Sequence, residues 1–135
     1  MGETKISSEI IKMLRAEFGD IAKLTRHQCG IAKGFNGGFV NLGEKFWPDY
    51  IGFTLDGRFL GIEVKDPNGK TDKKRLEGQD SLRELICRCG GYCIQTNGVQ
   101  DCREKMLKIR LLILENCGIM KIMRKNTVFE KETKK

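Results

Sequence analysis

Apolar residues recur at Ile6, Ile10, Met13/Leu14, Phe18 and Ile21. That spacing predicts an amphipathic helix from Ser7 to about Leu24, with Ser7 or Ser8 as its N-cap. Glycines then dominate Arg26 to Glu44, and Asn36-Gly37-Gly38 within that stretch reads as the tip of a hairpin or loop. Two short strand-like runs follow, Tyr50 to Thr54 and Phe59 to Lys65, on either side of the turn signal Asp56-Gly57. Both carry apolar residues on two faces, as central strands covered on both sides do. After Pro67-Asn68-Gly69 a helix is expected from about Arg75 to Cys89, with its stripe at Leu82, Leu85/Ile86 and Cys89 and its stop at Gly90-Gly91. Tyr92 to Thr96 reads as a strand, and Asp101 to Asn116 as a long helix closed by Gly118. Ile119 to Lys135 fits either a last strand or a helix, then a solvated end. This order predicts one α/β layer domain over residues 1–125, followed by a basic tail over 126–135.

Length and charge narrow the picture. At 135 residues the chain suits a single core, and 25 Lys+Arg against 18 Asp+Glu give a net charge of +7. Its longest aliphatic run, Leu111 to Leu114, is far short of the roughly 20 residues of a membrane span. The start lacks the apolar core of a secretory signal, so a cytoplasmic protein is expected. Reduced thiols suit that compartment, and Cys87-x-Cys89-x3-Cys93 misses the paired spacing of structural zinc sites. The six cysteines are therefore expected to be small buried hydrophobes. The basic excess points to a polyanionic partner, nucleic acid being the commonest.

Three polar residues fall where a buried strand pair should be apolar. Asp49 follows Pro48 at the mouth of the first strand, and Glu63 and Lys65 flank Val64 on the second, sharing a face. A buried carboxylate is costly without a partner, and a bound cation is one remedy. Whether Asp49 joins Glu63 depends on the turn. If Asp56-Gly57 is a two-residue turn, Leu55 pairs with Arg58, Asp49 faces Val64, and the carboxylates point apart. If Leu55-Asp56-Gly57 is a three-residue loop with Gly57 left-handed, Thr54 pairs with Arg58 and Asp49 lies opposite Glu63. The site requires the second arrangement, or a bulge. Two carboxylates from adjacent strands suit Mg²⁺ or Mn²⁺, and a lysine beside them can orient water or neutralise developing charge. An ordinary Glu63–Lys65 ion pair on an edge strand would satisfy the same spacing.

Pro48-Asp49, thirteen residues, then Glu63-Val64-Lys65 resembles the signature of the PD-(D/E)XK nuclease superfamily. Gly57-Arg58-Phe59-Leu60-Gly61-Ile62-Glu63-Val64-Lys65, Gly69-Lys70, Gln79 and Gly90-Gly91 before a strand are similar to the virus-type replication–repair nuclease domain (VRR-NUC). The likeness covers roughly residues 9 to 99. It implies a restriction-endonuclease-like core, a central mixed sheet flanked by helices. It also implies an Mg²⁺- or Mn²⁺-dependent DNA endonuclease selective for branched DNA such as four-way junctions. Asp49, Glu63 and the Val64 main-chain carbonyl would be metal ligands, Lys65 the catalytic lysine, and Gln79 the motif residue of the following helix. Glu9 would be the acidic residue of the first helix and the ligand of a second ion; Glu17 is the other candidate there. Short stand-alone members resemble homodimeric junction resolvases, which implies a homodimer in a bacterial or phage-infected cell. Bottom-up, Gln79 stands three residues before Leu82 and so begins the apolar stripe, while Glu9 also suits a helical first turn on dipole grounds.

Arg26, Lys33, Lys45, Lys70, Lys73, Lys74 and Arg75 are the expected phosphate contacts. Two other readings stay open: a catalytically inactive nucleic-acid-binding module, and a phage interaction protein on the same fold. Gly69-Lys70-Thr71 imitates the end of a P-loop, but the first glycine would fall at Val64, so no nucleotide cofactor is expected.

Overall fold

A computed structural model describes residues 2–27, 30–33, 36–42, 46–65 and 73–124. Helix α1 (Gly2–Phe18) leads into β1 (Ala22–Arg26), and β2 (Gly30–Lys33) with β3 (Phe39–Leu42) forms a two-stranded antiparallel hairpin. Strands β4 (Tyr50–Thr54) and β5 (Phe59–Val64), helix α2 (Lys73–Arg88), strand β6 (Tyr92–Thr96) and helix α3 (Val99–Arg124) complete the order. The main sheet runs β1-β4-β5-β6, with β5 and β6 parallel and the other neighbours antiparallel. The protein is thus α/β, with a mixed four-stranded sheet and three helices. No helix among the described residues is long and apolar enough to cross a membrane.

The core lies on one face of the sheet. Leu60, Ile62 and Val64 alternate along β5 and pack with Tyr50, Ile94 and Leu24 against Ile10, Met13, Leu14 and Phe18 of α1 and Cys102, Met106 and Ile113 of α3. The opposite face carries Phe59, Gly61, Glu63 and Lys65, with α2 lying over β5 and β6. Coverage on two sides holds for β5 but not for β4, whose Phe53 is 61% exposed.

Several expected boundaries move. The first helix starts at Gly2 rather than at a Ser cap, so Ser7 lies inside it, where its carbonyl accepts a hydrogen bond from the buried Tyr50 hydroxyl at 3.3 Å. It ends at Phe18, where a Gly19-Asp20 turn releases Ile21 and Leu24 to the strand side of the core. Strand β1 was concealed because Ile21 continued the helical spacing. Helix α2 begins two residues earlier than expected and closes at Gly90, with Gly91 N–H donating to the Ile86 carbonyl at 2.9 Å and Gly90 N–H to Cys87 at 3.0 Å. Leu85 and Cys89, expected in its stripe, are exposed. Helix α3 continues through Gly118 to Arg124, since a lone glycine costs a helix only about 1 kcal/mol. The expected tail over 126–135 lies outside the described residues.

The β4–β5 turn decides the register. Thr54 N–H donates to the Arg58 carbonyl at 2.9 Å, Gly57 N–H to the Thr54 carbonyl at 2.9 Å, and Gly57 has φ +78°. Glycine tolerates that left-handed conformation without the steric penalty of a Cβ. Tyr50 therefore pairs with Ile62 and Gly52 with Leu60, the three-residue loop of the two alternatives.

Buried Asp56 anchors this loop. Its carboxylate accepts hydrogen bonds from the Thr54 hydroxyl, from Tyr92 at 2.7 Å and from Asn116 at 3.0 Å, and pairs with Arg58 at 3.3 Å. Arg58 also donates to the Gly90 carbonyl at 2.8 Å. The loop is thereby tied to β6, α3 and the end of α2. Burial opposes ionisation of Asp56, but the hydrogen bonds from Thr54, Asn116 and Tyr92 outweigh it and hold the pKa below the ordinary value.

Candidate metal centre

One step past the Tyr50–Ile62 pair, the register sets Asp49 opposite Glu63, on the α2 face of the sheet. Asp49 Oδ2 accepts the Val64 N–H at 2.8 Å, and the Asp49 carbonyl accepts the His27 N–H at 2.8 Å. The end of β4 is thereby tied to both neighbouring strands. The Val64 carbonyl leaves the strand on the same edge as its N–H, toward Asp49. Pro48 holds the approach from below: a Cβ on Gly61 would stand 2.6 Å from its ring.

Lys65 and Gln79 complete a polar chain. Gln79 is 8% exposed on α2. Lys65 Nζ donates to Gln79 Oε1 at 2.5 Å, and Gln79 Nε2 donates to Glu63 Oε1 at 3.1 Å. Lys65 Nζ also lies 3.7 Å from Glu63 Oε1. The bridging amide fixes both side chains at once, donating to the acid and accepting from the base.

The electrostatics are those of a site short of positive charge. Burial, then the charge of Asp49, pushes the Glu63 pKa up to about 7, against the opposing pull of Lys65 and Arg75. A hard cation between the two carboxylates would reverse that penalty. Asp49, Glu63 and the Val64 carbonyl form an all-oxygen donor set, and Mg²⁺ commonly takes one or two carboxylates and completes its shell with water. No group of three His, Cys, Asp or Glu side chains among the described residues is placed to hold a metal. The donor set present fits a water-rich Mg²⁺ or Mn²⁺ site and not an all-protein cage.

The other expected residues that are described fall on α1, β1, β2 and α2. Glu9 is exposed on α1 beside buried Ile10, and the charges acting on Glu63 are those of Asp49, Lys65 and Arg75. Glu17 pairs with Arg103 of α3 at 2.8 Å. Arg75 in the first turn of α2 is close enough to act on Glu63, and Lys73 and Lys74 precede it, both exposed. Arg26 ends β1 opposite Tyr50, sharing the core face with Leu24 and not the face of Glu63. Lys33 lies on β2, whereas Lys45 and Lys70 fall outside the described residues.

Four neighbours escaped the sequence reading. Arg83 and Gln95 hydrogen-bond to each other and line the same cleft as Glu63, Lys65 and Gln79. Arg83 had a signal, since it lies four residues after Gln79 on one helical face. Phe46 and Gly78 had none. The Phe46 ring lies where a Gly78 Cβ would meet it at 2.6 Å, and Phe46 has φ +73°, a strained conformation for an aromatic residue. This contact brings α2 close to the sheet one residue before Gln79.

The cysteines divide. Cys102 is fully buried, and burial pushes its thiol up to about 12. Half-buried Cys93 lines the cleft, and burial raises it to about 11. Cys87 on α2 and Cys89 in the turn after it are exposed, contrary to the expectation of buried hydrophobes. The short helix stripe was too weak to rank their exposure.

Fold and site together define a mixed α/β domain with a half-buried carboxylate pair and a glutamine-anchored lysine at one end of its sheet. Compared with family models, curated proteins and solved structures, the chain finds no match.

Proposed function

We propose that the protein is a metal-dependent DNA endonuclease on a restriction-endonuclease-like core, selective for branched DNA such as four-way junctions. The observation that carries this reading is the juxtaposition of Asp49, Glu63, Lys65 and Gln79, produced by one strand register and one helix contact. Asp49, Glu63 and the Val64 carbonyl would hold Mg²⁺ or Mn²⁺. When bound, that ion supplies Lewis-acid polarisation of a phosphodiester and a more acidic water.

The chain's own groups do the rest. Gln79 holds the Lys65 ammonium beside the carboxylates, where it orients a water or offsets charge gathering on the phosphate. Lys73, Lys74 and Arg75 present cations to the DNA backbone at the same end, supporting position without reading sequence. A second copy would supply a second site for the opposing strand of a junction.

The test is cleavage of labelled four-way junction, flap, single-stranded and linear duplex DNA in Mg²⁺, Mn²⁺ or EDTA, with Asp49→Ala alongside. Metal-dependent cutting by the wild type, lost in the variant, is expected. Tight junction binding without cutting would replace the nuclease with a binding module. Neither binding nor cutting would reject both.

A further inference from the structure

Helices α2 and α3 both turn apolar side chains outward. On α3 the row of Leu107, Leu111 and Leu114 is exposed. On α2 the outward row borders an open cavity of about 480 Å³, within the size range of small-ligand sites. Leu82 and Leu85 of α2, with Cys89 just past its end, form one wall, and Leu85 is 51% exposed. Another wall is aromatic. Trp47 meets Phe59 edge-on, with ring centroids 5.9 Å apart and planes at 79°, and His27 packs beside Trp47 at 5.8 Å. Arg58 also lines the cavity. Its guanidinium is fixed by Asp56 at 3.3 Å and by the Gly90 carbonyl at 2.8 Å, yet its side chain is 42% exposed. The Asp56 side chain is fully covered, so the group that meets a ligand is the cation. Gly90 leaves room for it, since a Cβ there would stand 2.7 Å from Arg58 Nη1.

The cavity adjoins the metal cleft. Phe46 lines the cleft and the next residue, Trp47, lines the cavity; on α2, Gln79 and Arg83 line the cleft and Leu82 and Leu85 the cavity. Along β5, Phe59 in the cavity and Glu63 in the cleft share the α2 face four residues apart, about 13 Å. About four stacked nucleotides of one strand span that distance.

We infer that this cavity receives an unpaired nucleobase of the DNA cut at the metal cleft. Bases stack on aromatic rings and on arginine guanidinium planes alike, so Trp47, Phe59 and Arg58 act on the same ligand. Because Arg58 is anchored before binding, little ordering cost is left for the complex. A base inside a duplex cannot reach this wall, so the preferred branched substrate carries unpaired nucleotides within about four positions of the cut. The inference rests on the nuclease reading for its ligand and adds the requirement for an unpaired base.

Trp47 is the chain's only tryptophan, so its fluorescence reports occupancy directly. The full chain in EDTA is titrated with a fully paired four-way junction, the same junction with two unpaired thymidines at its centre, the same junction with those two positions abasic, and free thymidine monophosphate. Anisotropy of the labelled junctions gives their affinities. The junction with unpaired thymidines should quench Trp47 and bind about tenfold more tightly than the paired and abasic forms. Trp47→Leu should erase that preference. Leu85→Lys, at an exposed position, should erase both preference and quenching while holding or raising affinity for the paired junction, because the added charge favours DNA. Equal affinity for the three junctions overturns the inference, as does a preference that survives Trp47→Leu. Equal quenching by free thymidine monophosphate at the same concentration would make the cavity a small-ligand site and also overturn it. Quenching and preference without any cutting in Mn²⁺ would reject the nuclease and leave the base site standing.

Discussion

Asp49 Oδ2 accepts the Val64 N–H at 2.8 Å, so the carboxylate opening β4 is fixed to the strand that carries Glu63. One oxygen is thus committed to the backbone while the carboxyl still faces Glu63. Asp49→Asn keeps an oxygen acceptor there and removes the charge. Under the nuclease reading, cleavage should fall at least about 100-fold, a loss of some 2.7 kcal/mol in transition-state stabilisation. The melting temperature at pH 8 should hold or rise, because Glu63 loses a like-charged neighbour. Paired kinetics and thermal melts check both parts.

Glu63 makes stability depend on pH in an unusual direction for an acid. Its folded pKa is raised from an ordinary 4.5 to about 7. Between those values the folded protein retains a proton that the unfolded chain has released, so stability without metal falls as pH rises. Glu63→Gln should flatten this slope. Added Mn²⁺, which competes with the proton, should raise the melting temperature more at pH 8 than at pH 5. Melts from pH 4.5 to 8 with EDTA or Mn²⁺ measure both effects.

Gln79 connects the acid and the lysine, so its loss should act through position. Gln79→Ala should lower the cleavage rate about 10- to 100-fold while leaving junction affinity within a few-fold, and it should shift the pH–rate profile as Glu63 and Lys65 lose their shared partner. An unchanged profile would mean the bridge is structural only.

Gly78 admits the Phe46 ring against α2. Gly78→Val places branched carbon where the ring now lies, with an expected overpacking cost of about 1–3 kcal/mol. The displacement should move Gln79 from Lys65 and reduce activity beyond the stability loss. Pairing Gly78→Val with Phe46→Ala should recover part of both, as read by chemical denaturation and cleavage assays.

Asp56 is the distant support of the site. Its depressed pKa contributes stability that is present above the unfolded value of 3.8 and lost as pH falls below it. Asp56→Ala leaves Tyr92, Thr54 and Asn116 without their acceptor and should cost about 2–4 kcal/mol by denaturant titration.

Much of this was readable in residue order, because local chemistry decided it. Short apolar, aromatic-rich runs bounded by turn signals marked Tyr50–Thr54, most of β5 and Tyr92–Thr96; Asp56-Gly57 admitted a left-handed residue; and Gly90-Gly91 capped a helix. Glu63 and Lys65 shared a face from spacing alone. The sequence left two registers open for Asp49, however. The choice came from packing: Asp56 finds partners on β6 and α3 that are 36 and 60 residues away, and the loop they stabilise aligns Asp49 with Glu63. The same is true of β1, concealed by Ile21 continuing a helical period, and of Phe46 against Gly78, which meet only when α2 closes over the sheet. It is true again of the leucines of α3: their apolar character is local, but the core accepts only one side of a helix, and the fold alone determines which row is left outside.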